Sequence, residues 1–206
     1  KNNLKFEFEN LSILQFSGGH ANLTYLLKLD NDEYVLRRPP LGPIAPSSHD
    51  MFREHRVQSN LNSVFPLAPK SLHFCDDEGI IGSRFHIIER RRGFVIRKEF
   101  EPYISPSKDN LRKLSFKIID VLSDLHKINP NEVGLGDLGK PDGFVLRQLN
   151  GWEERWERST EDKVLKLKFD KLITFLRSTL PKAQTITILH NDFKLDNIMW
   201  SNSNPF

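Results

Sequence analysis

Cysteine is almost absent from this chain. Cys75 is the only cysteine among 206 residues, which excludes an internal disulfide and a zinc site built from several cysteines. Long hydrophobic runs are absent too: no apolar stretch approaches the roughly 18 residues of a membrane span. The first ten residues, KNNLKFEFEN, lack the apolar core of a signal peptide. We therefore expect a protein with no membrane partner, in a reducing, cytoplasmic compartment.

The charge of the chain is nearly balanced overall but clustered locally. Its 30 Lys and Arg against 27 Asp and Glu give a formal net charge of +3, and the segment ERRRGFVIRK at 89–98 is strongly basic. Such a run could contact nucleic acid, an acidic membrane or a phosphorylated small molecule, or it could be a solvated turn and strand. Aromatic residues do not interleave with the basic ones as a base-stacking platform requires, so we expect no nucleic-acid partner.

The first half of the chain has the pattern of a β-rich lobe. Residues 11–38 contain three short apolar or alternating stretches separated by SGGHAN and DNDE, which predicts three strands. A helix is predicted from near Ser48, with His49 and Asp50 in its first turn, through MFREHRVQSNL. Two further strands are predicted at SLHFC and RFHIIERR.

Helical periodicity dominates the second half. A long helix is predicted after Ser107 or Asp109 as the N-cap, and another over about 161–179. The tail ITILHNDFKLDNIMW predicts a strand, a polar loop and a second short strand. The whole pattern predicts an α+β protein with an N-terminal lobe over 1–93 and a mainly helical C-terminal lobe over 94–206.

The polar loop in the tail carries candidate chemistry. His190, Asp192 and Asn197 have the spacing His-x-Asp-x-x-x-x-Asn of the kinase catalytic loop. Phosphoryl transfer to a hydroxyl needs a carboxylate that orients the hydroxyl and takes its proton, an oxygen ligand for Mg²⁺, and a cation near the transferred group. Asp192, Asn197 and Lys194 supply these groups, and we expect His190 to brace the loop. A polar turn with incidental charges is the alternative for these residues alone.

A second set of candidate residues lies in the predicted strands of the first half. Ser17–Gly19 stands between two strands, where a glycine turn lets backbone N–H groups approach phosphates, although an ordinary hairpin fits the same pattern. Arg37 takes the third-strand position at which kinases place a lysine on the nucleotide phosphates. Glu54, in the following helix, is its expected ion-pair partner; the alternative is an exposed helical carboxylate.

The run from about residue 14 to 200 resembles the aminoglycoside phosphotransferase family of kinase-like enzymes. The resemblance is carried by the segments GGHANLTYLL, YVLRRPPLGPIAPSSHDMFREHRV, FHIIERRRG, FVLRQLNGWEERW and LHNDFKLDNIMW. It is greatest to the branch found as a kinase-like domain fused to some acyl-CoA dehydrogenases. It implies the bilobal protein-kinase-like fold, ATP and Mg²⁺ in the cleft, and a small-molecule hydroxyl as acceptor. For the fused branch that acceptor is a hydroxyacyl-CoA thioester.

The resemblance also implies roles for single residues. Asp192 would be the catalytic base with Lys194 beside it, and Asn197 would be a Mg²⁺ ligand. Arg37 would replace the phosphate-binding lysine. On the acceptor side the resemblance puts Trp152, Trp156 and Arg147, for which helix packing is an equally good interpretation. The residues expected to bind the nucleotide are Ser17, Gly18, Gly19, Asn22, Arg37, Glu54, Glu89, Arg90 and Arg91.

One departure from the family concerns the metal site. The family has a second metal-binding Asp soon after the Asn, whereas the residues after Asp196 include neither Asp nor Glu. We therefore expect a piece of a longer protein with an incomplete C-terminal lobe; the alternative is a degenerate metal site. The predicted function is an ATP-dependent small-molecule kinase. A non-catalytic nucleotide-binding pseudokinase or scaffold is the alternative, an aminoglycoside kinase is disfavoured, and the oligomeric state stays open.

Overall fold

The computed structural model describes residues 10–16, 22–42, 49–97, 107–182 and 185–202. They fall into two compact units, one within Lys1–Ile128 and Leu189–Phe206 and the other within Asn129–Ile188. This division differs from the predicted lobes at 1–93 and 94–206, which stay a prediction. None of the helices in the described ranges is both long and apolar enough to cross a membrane.

The first unit contains a five-stranded antiparallel sheet. Its strands are β1 Leu11–Gln15, β2 Leu23–Leu29, β3 Asp32–Arg38, β4 Ser71–Cys75 and β5 Phe85–Glu89, in the spatial order β1-β2-β3-β5-β4. All five strands are at the predicted places. Val35 in β3 is directly opposite Leu26 in β2 and Ile88 in β5, and all three side chains are buried. Directly opposite residues share a face, so these three form an apolar layer on one side of the sheet.

Helix α1, Met51–Leu61, follows β3 and has contacts with β4 and β5. It begins later than predicted. His49 and Asp50 precede it instead of forming its first turn, because the Asp50 carboxylate accepts a hydrogen bond of 3.0 Å from the Arg53 N–H and so caps the helix. Met51 and Leu61, one at each end, are its buried residues. The cap and these two anchors determine which face of α1 meets the sheet.

Helix α2, Lys108–His126, is the predicted long helix, and Ser107 rather than Asp109 is its N-cap. Its residue Leu114 forms a buried cluster with Phe94, Ile96 and Trp200. Phe94 and Trp200 also form an isolated antiparallel bridge, with N···O distances of 3.0 and 2.8 Å. This bridge joins the segment after β5 to the segment after the polar loop.

The tail differs from its prediction. The start of the tail was predicted to be a strand, but residues 185–190 have no regular secondary structure. In place of the second predicted strand, a single residue pair, Phe94 and Trp200, forms an isolated bridge. An alternating apolar pattern becomes a strand only where a neighbouring strand can pair with it, and the described residues offer 185–190 no such partner.

The second unit contains two helices, α3 Phe144–Ser159 and α4 Lys163–Ser178. Asp162 caps α4 through hydrogen bonds to the N–H groups of Val164 and Leu165. The two helices are joined by a stacked pair, Trp156 on Phe169, with ring centroids 4.7 Å apart. The ion pair between Arg177 and Glu153 also links them. The predicted helix at about 161–179 is therefore α4.

Candidate active site

The polar loop at 190–197 folds around one carboxylate. Asn197 Nδ2 donates hydrogen bonds of 2.8 Å to both the backbone carbonyl and the Oδ2 atom of Asp192. Lys194 Nζ lies 3.2 Å from the other carboxylate oxygen, Oδ1. Lys194 and Asn197, two of the three residues predicted to carry the chemistry, are therefore both in direct contact with the third, Asp192.

Local backbone geometry makes this arrangement. Asn191 has a positive φ of 65°, a conformation that Asn tolerates better than most residues, and it turns the chain sharply before Asp192. A 3₁₀ turn over Leu195–Asn197 then brings the Asn197 side chain back toward Asp192. His190 braces the start of the loop as predicted, since its Nδ1 accepts from the Asp192 N–H at 3.4 Å and its ring meets the edge of Phe193.

The contacts of Asp192 lower its pKa. The hydrogen bond from Lys194 is the largest cause, and the hydrogen bond from Asn197 adds to it, so the pKa lies below the ordinary value of 3.8. The carboxylate is consequently ionised at neutral pH and can only accept hydrogen bonds. A hydroxyl that approaches it would donate its proton toward a group that is already charged and oriented.

The ion pair predicted between Arg37 and Glu54 is present, between Arg37 Nε and Glu54 Oε1. Both side chains are largely buried, with 29% and 22% of their surfaces exposed. The His86 ring, fully buried in β5, approaches the same carboxylate oxygen with Nε2 at 3.4 Å. Because Arg37 uses its Nε edge for Glu54, the two terminal Nη groups are the ones that could form a fork onto phosphate oxygens.

Asn22 completes this cluster. Its Nδ2 donates to Glu54 Oε2 at 3.2 Å, and its Oδ1 lies 2.6 Å from His49 Nδ1. The Asn22 side chain, predicted to cover phosphates, is thus bonded to the ion pair and to the residue two before α1. His49 itself has a positive φ of 60°. We call Asn22, Arg37, Glu54 and His86 the glutamate cluster.

Glu54 is held in its charged form within this cluster. Burial raises its pKa, but the hydrogen bond from His86 and the positive charge of Arg37 together outweigh burial, so the pKa lies below the ordinary value of 4.5. A charged carboxylate attracts the Arg37 guanidinium and orients it, as the predicted phosphate role requires. That role stays a prediction.

The predicted hinge residues Glu89, Arg90 and Arg91 bind protein groups through their side chains. Glu89 accepts from the Lys70 N–H at 2.7 Å and pairs with Arg91, which also donates to the Pro66 carbonyl at 2.8 Å. Arg90 lies over the Phe16 ring at 5.1 Å. Contact of these residues with adenine through backbone groups stays a prediction. The neighbouring Arg92 pairs with Glu33, so the arginines at 90–92 do not form the free cationic patch that the basic run suggested.

Other predicted positions have different outcomes. Ser17, Gly18 and Gly19 lie outside the described residues. Trp156 packs on Phe169, and Arg147 donates to the carbonyls of Lys140 and Asp142, so both have structural partners within the second unit. Trp152 is 62% exposed, with the Arg155 guanidinium 4.3 Å from its ring centroid.

His86 was missed by sequence reasoning. Its signal was indirect: an ionisable residue in a strand whose neighbours are Phe85, Ile87 and Ile88. Only the register shows its place, since His86 is directly opposite Arg37 in the β3–β5 pairing. A histidine directly opposite the predicted phosphate-binding arginine would have been a candidate had the strand pairing been known.

The described residues contain no group of three or more His, Cys, Asp or Glu side chains that could hold a metal ion. Asn197 is nevertheless a suitable single ligand for Mg²⁺, which prefers oxygen donors and takes few of them from protein when phosphates supply others. Its amide nitrogen is bonded twice to Asp192, which leaves Oδ1 as the ligand atom.

Comparisons with known proteins identify the family and the fold of this chain. A model of the phosphotransferase enzyme family matches residues 12–206. Among curated proteins, acyl-CoA dehydrogenase family member 11 from Rattus norvegicus is 33% identical over 92% of this chain, and family member 10 from Mus musculus is 29% identical over 92%. The chain spans only 24% and 17% of the length of these two relatives.

Solved structures share the fold. A crystal structure from Ralstonia eutropha, provisionally named an aminoglycoside phosphotransferase, has a TM-score of 0.79 and 28% identity, covering 95% of this chain and 56% of that one. Choline kinase from Cryptosporidium parvum has a TM-score of 0.62 at 15% identity, covering 98% and 58%. The α+β, kinase-like fold class predicted from the sequence is confirmed. With the family model matched over nearly the whole length, the chain belongs to the phosphotransferase enzyme family.

Proposed function

We propose that this chain provides the catalytic residues of an ATP-dependent kinase that transfers the γ-phosphate to a hydroxyl of a small molecule. The observation that carries the proposal is the Asp192 carboxylate, ionised and held between Asn197 and Lys194. Membership of the phosphotransferase enzyme family supports the reaction class. A structure of aminoglycoside phosphotransferase APH(4)-Ia in complex with AMP-PNP and hygromycin B, at 16% identity, supports only the fold.

In this mechanism each residue of the loop has one task. Asp192 accepts a hydrogen bond from the acceptor hydroxyl and takes its proton as the oxygen attacks the γ-phosphorus; the bond from that phosphorus to the β,γ-bridging oxygen breaks, and ADP leaves. Lys194 places positive charge beside the transferred group, where negative charge must be stabilised. Asn197 would hold Mg²⁺ through Oδ1, and bound Mg²⁺ would neutralise charge on the nucleotide phosphates.

The glutamate cluster has a binding task in this proposal. Arg37, oriented by Glu54, would form two parallel hydrogen bonds to phosphate oxygens, a geometry that lysine cannot reproduce. The backbone of the segment 89–91 would meet the adenine.

The proposed acceptor is a hydroxyacyl-CoA. The names of the curated relatives, which are acyl-CoA dehydrogenase family members, support a CoA thioester as the acceptor class. The basic run supports it less than the sequence suggested, because Arg91 and Arg92 are paired with Glu89 and Glu33. A polycationic aminoglycoside would call for an acidic acceptor face, and the charges over 144–158 are balanced rather than acidic.

The test is a measurement of ADP release by the full-length protein with hydroxyacyl-CoA or a kanamycin-like aminoglycoside as the acceptor. We expect release only with the thioester, and we expect Asp192→Asn to abolish it, which assigns the activity to this loop. Release with the aminoglycoside alone would overturn the acceptor class. Nucleotide binding without turnover on any acceptor would favour the non-catalytic pseudokinase.

A further inference from the structure

The fully buried His86 side chain is the starting point. A buried polar ring costs free energy unless its nitrogens have hydrogen-bonding partners. His86 Nδ1 has such a partner in Ser71 Oγ at 3.5 Å. Nε2 lies at an ion-pair distance of 3.4 Å from Glu54 Oε1 but lacks the geometry of a hydrogen bond, so this charged oxygen is the polar group that compensates it. The ring therefore connects the carboxylate of α1 to the first residue of β4.

The polarity of the contact between His86 and Glu54 is decided by charge. Glu54 is ionised and can only accept, so the proton on this line is carried by His86 Nε2. Ser71 holds the ring from the other side and lies 2.7 Å from His55 Nδ1 in α1. The contacts thus run from α1 through β4 and β5 back to α1, which fixes the ring in its plane.

The two oxygens of Glu54 have different partners. Oε1 meets both Arg37 Nε and His86 Nε2, and Oε2 accepts from Asn22 Nδ2. The carboxylate cannot rotate about its bond to the side chain without losing at least one of these three contacts. Because these contacts restrain Glu54, they also restrain the guanidinium that it holds.

We propose that His86 is a positioning residue: acting through Glu54, it holds the Arg37 guanidinium in the orientation that receives nucleotide phosphates. The inference rests on the proposed function, in which Arg37 binds these phosphates. A group held in its binding orientation before the ligand arrives loses less conformational entropy on binding, so a looser Arg37 should bind the same phosphates more weakly.

A double-mutant cycle on the full-length protein tests this. His86→Leu removes the N–H donor and puts an apolar side chain of similar size in its place, whereas His86→Gln keeps an N–H donor on its amide. The other two variants are Arg37→Ala and the double variant His86→Leu/Arg37→Ala. His73→Leu, in an exposed position of β4, is the matched control. Dissociation constants are measured with a fluorescent ATP analogue and Mg²⁺, and thermal unfolding shows which variants are folded.

We expect His86→Leu to weaken nucleotide binding about tenfold, the effect of one hydrogen bond to a charged group. His86→Gln should recover most of the affinity, and His73→Leu should not change it. In the Arg37→Ala background, His86→Leu should have an effect of less than about twofold, because the residue it positions is gone. If the leucine variant does not fold, His86→Asn replaces it, since its shorter amide stays polar but does not reach Glu54.

Two results would overturn the inference while leaving the proposed function intact. One is unchanged nucleotide affinity in His86→Leu, and the other is an equal loss with and without Arg37, which would mean a general structural effect. An Arg37→Ala protein that binds nucleotide normally would overturn the phosphate role of Arg37, and the inference with it.

Discussion

The polar loop at 190–197 and the glutamate cluster place charged groups by opposite means. In the loop, Asp192, Lys194 and Asn197 lie within six residues, and the side chains of Asp192 and Lys194 are 62% and 55% exposed. In the cluster, the partners of Glu54 come from 17 to 32 residues away in sequence, and they are buried or half-buried. An exposed ion pair contributes little to stability, so local turns must shape the loop. The cluster depends on the sheet and α1 being assembled correctly.

The largest expected effect tests the loop. Asp192→Asn should lower turnover by roughly 10²–10⁴, the share of a positioned general base, and leave folding and nucleotide affinity nearly unchanged because the change is almost isosteric. Steady-state ADP release and fluorescent nucleotide binding measure the two quantities. Asp196→Asn, the same change four residues later, is the matched control and should retain normal turnover. Retention of more than about a third of the activity in Asp192→Asn would remove Asp192 from its assigned role.

The next effect tests the cluster. Arg37→Ala should weaken nucleotide binding about 10- to 100-fold, because it removes charged hydrogen bonds to phosphate. The affinity of Arg37→Lys should lie between those of Arg37→Ala and the unmodified protein, since lysine keeps the charge but cannot form two parallel hydrogen bonds. Titration with a fluorescent ATP analogue gives the affinities. Arg84→Ala, at a 60% exposed position, controls for the loss of a positive charge. Normal affinity in Arg37→Ala would move the phosphate role to Arg38 or elsewhere.

A third variant tests the contact between the segment after β5 and the segment after the polar loop. A Cβ atom on Gly93 would overlap the backbone carbonyl oxygen of Trp200, beside the Phe94–Trp200 bridge. Gly93→Ala must therefore push the segment after the loop away from the segment after β5, and we expect it to lower the free energy of unfolding by about 1–3 kcal/mol. Denaturant unfolding measures this. Gly139→Ala, with open space around its Cβ, should be nearly neutral, and equal stability of the two variants would show that the close approach is not needed.

The smallest expected effect is on stability, and it compares the Glu54 and Asp192 carboxylates as pH and salt are changed. The folded-state pKa of Glu54 lies below 4.5, so as pH falls past this value the unfolded chain takes up the proton first and stability is lost. Glu54→Gln should therefore be less stable than the unmodified protein at neutral pH, and the difference should narrow below about pH 4.5. Urea unfolding from pH 7 to pH 4 measures it.

Asp192→Asn is the comparison for that experiment. The pKa of Asp192 is lowered as well, so any stability difference between the unmodified protein and Asp192→Asn has the same sign. Because the Asp192 side chain is exposed, added salt should erase that difference. The Glu54 difference should persist in salt because the pair is largely buried. Equal salt sensitivity of the two variants would contradict the contrast between the exposed loop and the buried cluster.

The amount that could be predicted differed between these regions for a physical reason. The loop residues were found from spacing alone, because a short turn brings residues five apart into contact wherever it forms. The Arg37–Glu54 pair was predicted from the third-strand position of Arg37 and from the helix that follows it, and the pair is present. The strand predicted at the start of the tail was wrong, since alternation cannot show whether a partner strand is available.

Sequence patterns predict the five strands, the helices α1, α2 and α4, and the order of the groups in the polar loop, because each depends on periodicity or on neighbours a few residues apart. Three sets of contacts became visible from the three-dimensional structure: His86 opposite Arg37, Asn22 with Glu54 and His49, and Arg92 with Glu33. These contacts join residues that are at least 27 positions apart in the chain. Strand register and helix placement bring them together, and both are set by burial of the whole apolar layer, which no local pattern contains.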